Sequence, residues 1–313
     1  MLTELALIPD IFEAGCYSSP EACALHLTYL KDPLLSEVLI RDLRNGDWAK
    51  HVRGSMGKWH PRGQELLLRL VTGKRLRLFA SSLSKTPTND DEWCDEAVAS
   101  HASENLAAIL ACPAVAARHK ASPTVASIEE VTNSAWWRGR SPTIRPSRAV
   151  DSYLTHLRLV LGTANSFMFI DPHLDPTRQH YSDFIQILRA LRRPAIQPLI
   201  EIHRVCYEGS GPNRLIFTGA MRAELEKRFR DSWATDLRAA GLSVKVFVWP
   251  DLHDRYLLTD LIGIDMNNGF DCSTDPHAKT TGSRMGRAQA DEVQREHDPA
   301  AARVKPHYDF QVP

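Results

Sequence analysis

The chain has 313 residues, with 38 Lys and Arg balanced by 38 Asp and Glu, 43% hydrophobic and 24% charged residues. These values exclude disordered, collagen-like and coiled-coil chains, and the length suggests about two domains at roughly 100–200 residues each. A net charge of zero excludes a uniformly cationic coat for polyanions, but it averages over local patches.

The first residues carry Glu4, Asp10 and Glu13 and no basic cluster, which is unlike a secretory signal. The longest apolar run, Leu106 to Ala117, is too short for a bilayer and is broken by Pro113. A cytoplasmic protein without a transmembrane segment is the expectation. The six cysteines, Cys16, Cys23, Cys94, Cys112, Cys206 and Cys272, have no CxxC spacing and read as buried thiols.

Residues 1–145 read as a mostly helical domain of unknown role, with one strand at Leu76–Ala80. A helix is expected from Asn89-Asp90-Asp91, whose side chains can cap it, with Trp93, Ala97 and Val98 facing inward. Charge is uneven here: residues 41–77 hold ten Lys/Arg against three Asp/Glu, and residues 78–104 hold one against six. Lys50, Arg53, Lys58 and Arg62 interleave with Trp48 and Trp59. Such a segment either tracks a nucleic-acid backbone and stacks bases, or is a solvated helical face over core tryptophans.

The Pro/Arg/Ser-rich stretch Arg138–Arg148 marks a boundary, as a linker or part of a groove. Beyond it, Val150, Leu154, Leu157 and Leu161 recur at helical spacing, and Phe167–Ile170 forms a short apolar strand ending at Asp171-Pro172. Tyr181, Phe184, Leu188 and Leu191 mark a second helix, and Ile196–Val205 a second strand. Residues 221–240 form an amphipathic helix closed by Gly241, and Val244, Val246 and Val248 alternate in a third strand. Strands alternating with helices predict an α/β layer with crossover connections.

That third strand leads into Pro250-Asp-Leu-His253-Asp-Arg255-Tyr-Leu-Leu-Thr-Asp260. On extended backbone His253 and Arg255 share a face, and an imidazole beside a guanidinium suits phosphate chemistry as readily as a plain surface pair. Asp260 would face the other way on a continuous strand, so a role beside His253 needs a bulge.

His253-x-Arg255-x4-Asp260 resembles the H-x-K-x4-D motif of the phospholipase D superfamily, with Arg in place of Lys. Phe169-Ile-Asp171-Pro-His173-Leu resembles the (I/V)-D-P-Y-(L/I) strand end of such modules. The resemblance covers roughly residues 149–313 and implies a phospholipase D-like α/β sandwich there. The Gly-Ser that usually follows the motif is replaced by Asn267-Asn-Gly-Phe-Asp271, and His253-Asp-Arg255 followed by Gly269-Phe-Asp271 also resembles the degenerate phospholipase D-like domain of some microtubule-interacting-and-trafficking proteins, a membrane-binding module.

In active members a histidine attacks phosphorus, a second histidine protonates the leaving oxygen, and no metal or other cofactor is used. His253 would then be nucleophile or acid, Arg255 the phosphate clamp and Asp260 the acidic member. A single motif implies a symmetric homodimer that brings two copies together. Within one chain, Asp171 at a strand end and Glu201 and His203 on the next strand could complete a site. A cap for Asp171 and a buried polar network of Glu201, His203 and Arg204 are the structural alternatives. Asp271 either pairs with Arg255 or stabilises its turn. A metal site built from His253, Asp171, Glu201 and His203 has no supporting ligand spacing. The reading is a metal-independent protein of the phosphodiesterase or nuclease type that acts on or binds nucleic acid; a component of a bacterial anti-phage system with a protein partner is a further reading. The alternative is an inactive module that binds anions, membranes or a protein.

Overall fold

The computed structural model describes residues 1–194, 196–209 and 214–313, with only the backbone at Met56. It divides into two units, Leu2–Ser141 and Pro142–Pro313, each built on its own sheet. The chain is α/β, and among the described residues no helix is long and apolar enough to cross a membrane.

The first unit contains β1 (Thr3–Leu7), α1 (Pro20–Glu37), β2 (Val38–Asp42), α2 (Leu43–Gly54), α3 (Pro61–Thr72), β3 (Leu76–Leu78), α4 (Asp90–Ser103), β4 (Ala108–Ala111), α5 (Pro113–Arg118), β5 (Val125–Ser127) and α6 (Ala135–Gly139). Helices hold more residues than strands, yet the organising element is a parallel sheet in the order β3-β2-β1-β4-β5. That corrects the expectation of one strand in a mostly helical domain. The overlooked strands are short, largely apolar runs such as Leu5-Ala-Leu7 and Ala108-Ile-Leu-Ala111, buried on both faces. Such runs lack the alternation that separates a strand from a buried helical turn.

Helix α4 begins as expected: Asn89 accepts a hydrogen bond from the Glu92 amide, and Trp93 and Ala97 are buried while Val98 is only partly so. Trp48 and Trp59 are core residues, 0% and 5% exposed, with Phe12 stacked on Trp59 at 4.9 Å. Base stacking by these indoles is therefore excluded in the folded chain.

The second unit runs β6 (Thr143–Ile144), α7 (Val150–Thr163), β7 (Ser166–Ile170), α8 (Phe184–Arg189), β8 (Leu199–Val205), β9 (Tyr207–Glu208), β10 (Leu215–Ile216), α9 (Gly219–Ala240), β11 (Val244–Trp249), β12 (Tyr256–Thr259), β13 (Gly263–Met266), β14 (Gly282–Arg284), α10 (Arg287–His297) and β15 (Tyr308–Val312). Eight strands lie in the order β15-β11-β8-β7-β12-β13-β14-β6, with β11, β8 and β7 parallel. The crossovers α8 and α9 supply that parallel trio, as the alternating periodicities predicted. Helix α9 buries Leu225, Phe229, Trp233 and Leu237 at four-residue spacing and ends at Gly241, whose φ of 67° closes the helix. Antiparallel β12 and β13 extend the sheet past β7.

Candidate active site at the carboxyl edge of the second sheet

Open α/β sheets gather ligand groups where their parallel strands end. Here β7 ends at Asp171-Pro172-His173, β8 leads into Cys206 and β9, and β11 leads into Pro250–Arg255. Because β12 runs antiparallel to β7, its start lies on this same edge, as does the end of β13. One edge thereby collects Asp171, His173, Arg204, His253, Arg255 and the 267–270 loop.

Asp171 is the keystone. Its fully buried carboxylate accepts hydrogen bonds from the His173 amide (3.1 Å), the Tyr181 hydroxyl (2.9 Å) and the Phe270 amide (3.2 Å). Arg255 Nε stands 4.0 Å away. Burial raises the carboxyl pKa above the usual range, and the three donors and Arg255 only partly offset it. The loop reaches Asp171 through Gly269, at φ 68°, where a Cβ would lie 2.1 Å from Asp171 Oδ2. Only glycine fits that approach.

Arg204 forms the inner wall. It is 2% exposed, donates to the carbonyls of Leu174 and Val205 at 3.2 Å each, and lies 3.9 Å from Asp175. Asp175 also holds Thr177 and Arg228. Burial works against its charge, but Thr177, Arg204 and Arg228 keep its carboxyl below the usual range. A cavity of about 390 Å³ opens here, lined by His173, Asp175, Arg178, His180, Arg204, Tyr207, Glu208 and Gly209. His173 is exposed, and partial desolvation, then Arg255, Arg204, His180 and His253, hold its imidazole below the usual histidine range. A neutral imidazole with an available lone pair is the form that can attack an electrophile.

His253 is exposed, with Nε2 3.4 Å from Asp251. Asp251 in turn accepts from the Tyr207 hydroxyl at 3.0 Å and lies 3.5 Å from Arg214. His253 thus stands on the rim with a carboxylate beside its ring, and Arg255 stands beside the buried carboxylate.

The structure parts the other expected residues from this edge. Asp260 follows β12, at the opposite end of a strand about 13 Å long. There its carboxylate binds the Asn165 amide (2.8 Å) and side chain (3.2 Å), so it serves the far turn and not His253. Asp271 pairs with Arg148, with Nε–Oδ1 at 3.0 Å, instead of Arg255. Lys50, Arg53, Lys58 and Arg62 are exposed in the first unit, with Lys50 3.1 Å from Asp47.

Glu201 and His203 share one face of β8, and strand alternation puts them opposite Arg204. Trp249 Nε1 donates to His203 Nδ1 at 3.0 Å, which fixes the proton on Nε2, 3.6 Å from Glu201 Oε2. The ring stacks on Phe247 and meets His297 edge-on at 5.8 Å. This is a buried polar network under α10, and it contributes nothing to the cavity at the sheet edge.

Burial lowers the pKa of both His203 and His297. The unfolded chain therefore binds these protons more readily, near the usual value of about 6.5. Their stabilising effect is complete above that value and is lost as pH falls towards the depressed folded values. The urea midpoint of the second unit is expected to drop between pH 7.5 and 5.5, and to drop less in His203→Gln. An unchanged slope in the variant would assign the acid sensitivity elsewhere.

His173, Arg178 and His180 were not expected as site residues, and Arg204 was expected only in a structural network with Glu201 and His203, whereas it lies on the opposite face beside Leu174 and Asp175. The signal for His173 was present two residues after Asp171, in the strand-end segment, and Arg204 adjoins His203. Arg178 and His180 lie at the one-turn 3-10 helix Gln179–Tyr181, too short for a periodicity that would reveal where they point.

No protein-family model matches the chain, and no curated protein does. Among solved structures, polyphosphate kinase from Porphyromonas gingivalis is 12% identical with a TM-score of 0.31; the match covers 52% of this chain and 27% of that one. TrmBL2, described as an archaeal chromatin protein with a novel mode of DNA binding, is 12% identical with a TM-score of 0.29, over 76% of this chain and 79% of its own. At these values neither likeness bears on fold or function.

Proposed function

We propose that the second unit is a phospholipase D-like module that binds and cleaves phosphodiesters without a metal, with nucleic acid as the substrate class. The observation that carries this reading is the gathering of His173, His253, Arg204 and Arg255 at one sheet edge, beside a cavity large enough for a nucleotide. His173 Nε2 or Nδ1 attacks phosphorus, and Arg255 neutralises charge growing on the non-bridging oxygens. The bond to the leaving oxygen breaks, and that oxygen takes a proton from His253. Water then attacks the phosphohistidine, giving its proton to His253, which frees His173. Both imidazoles come from one chain, so this chemistry does not depend on a two-fold dimer.

A second reading, a non-catalytic anion-binding module, draws on a specific feature. The edge arginines already face carboxylates: Arg204 and Arg228 at Asp175, Arg178 at Glu208, Arg214 at Asp251. A phosphate must compete with those pairs. Incubation of the protein with single- and double-stranded DNA and RNA in EDTA decides between the two. Cleavage that falls at least about 100-fold in His253→Ala and in His173→Ala supports the enzyme. Oligonucleotide binding without turnover supports the module, and cleavage abolished by EDTA overturns the metal-free mechanism.

A further inference from the structure

The first unit carries an unassigned group of ligating side chains. Asp10 Oδ, Cys16 Sγ and Cys112 Sγ all lie within 4.8 Å of one another. Asp10 follows β1 and Cys112 follows β4. These are the adjacent strands between which the order β3-β2-β1-β4-β5 reverses direction. Such a reversal opens a crevice at the carboxyl ends of the strands, where open α/β sheets take their ligands.

The group is held from several sides. The Cys112 amide donates to both Asp10 oxygens, at 3.3 and 3.2 Å, and Cys112 Sγ lies 3.4 Å from the Asp10 carbonyl. The Tyr17 hydroxyl donates to the Ile11 carbonyl at 2.7 Å and clamps the turn that brings Cys16 back over Asp10. Asp10 is 2% exposed, yet no salt bridge among the described residues reaches it. Burying a carboxylate without a cation is costly, and two thiols alongside cannot supply the missing charge.

We propose that Asp10, Cys16 and Cys112 bind one Zn²⁺, with a fourth position open to solvent or an external ligand. A tetrahedral zinc separates its sulfur ligands by about 3.8 Å, so side-chain rotation of about 1 Å closes the site from its present span. Two sulfurs and one oxygen suit a thiophilic ion and exclude Mg²⁺ or Ca²⁺, which require oxygen donors. Binding releases both thiol protons and leaves thiolates on the metal. Half-buried Cys16 provides the entry side, whereas Asp10 and Cys112 are enclosed. The spacing gave no hint, since Asp10 and Cys112 stand 102 residues apart in sequence.

The test uses the reduced full-length chain, loaded with Zn²⁺ and dialysed against metal-free buffer, with zinc measured by mass spectrometry. Co²⁺ substitution is read by thiolate charge-transfer absorption. The expectation is one Zn²⁺ per chain and a thiolate–cobalt band. Affinity should fall at least about tenfold in Cys16→Ser and Asp10→Asn, and remain unchanged in Cys206→Ser of the second unit. Cys16→Ser, at a half-buried position, guards against misfolding, with circular dichroism as the check. No retained zinc in the folded wild type, or equal retention in folded Cys16→Ser and Asp10→Asn, overturns the proposal.

Discussion

Gly269→Ala is expected to destabilise the second unit by about 3–5 kcal/mol, whereas Gly241→Ala costs only about 1 kcal/mol. Both glycines have a left-handed φ, 68° and 67°, so the conformational cost is the same. The surroundings differ. Among the described residues nothing lies within 4 Å of a Cβ at Gly241, but at Gly269 it meets Asp171 Oδ2 at 2.1 Å and Arg255 Cδ at 2.9 Å. The partly exposed Arg255 side chain can shift, but Asp171 cannot swing away freely, because it is fully buried under three donors. Relief means breaking those hydrogen bonds, at about 1–3 kcal/mol for each buried group left unsatisfied. Urea denaturation of the two variants measures the difference. Equal midpoints would mean that the 267–270 loop is not closed on Asp171.

Glu4→Ala is expected to cost the first unit about 3–5 kcal/mol, because it strands a buried guanidinium. Arg41 is 0% exposed and binds both Glu4 oxygens, at 3.2 and 2.9 Å, together with the Ser100 and Glu104 carbonyls. Its guanidinium also lies over the Phe79 ring at 4.1 Å. Arg77 shares Glu4 at 2.7 Å but keeps Glu104, so the loss concentrates on Arg41. Replacing both members, as Glu4→Leu with Arg41→Met, is expected to recover most of the stability, because two apolar groups then fill the space the charges held. If the double variant is no more stable than Glu4→Ala, the cost lies in packing and not in the unpaired charge.

What the sequence disclosed follows from pattern strength. Helix α9 repeats its apolar face from Leu225 to Leu237, more than three turns, and Val244, Val246 and Val248 recur at alternate positions, so both were legible even though Phe247 is buried as well. Strands β1, β2 and β4 were not, because parallel strands buried on both faces lose the polar alternation that marks a strand. The site was legible only in part. His253, Arg255 and Asp171 share the sheet edge, since each stands at a strand terminus. Asp260 was their companion only through the resemblance to the H-x-K-x4-D motif, but a strand carries its two ends apart, and Asp260 went with the far one. His203 was chemically conspicuous and spatially misplaced, because neighbours on a strand face opposite ways and Arg204 took the site side.

Covalent trapping gives the most direct test of the phosphodiesterase assignment. The protein is mixed with 5′-labelled DNA and RNA oligonucleotides in EDTA, quenched during turnover, and digested under conditions that preserve phosphohistidine. Peptide mass spectrometry is predicted to find the phosphoryl adduct on His173. The adduct should persist in His253→Ala, where formation slows, and be absent in His173→Ala. Turnover that leaves no adduct on either histidine, or that survives replacement of both, would contradict the assignment.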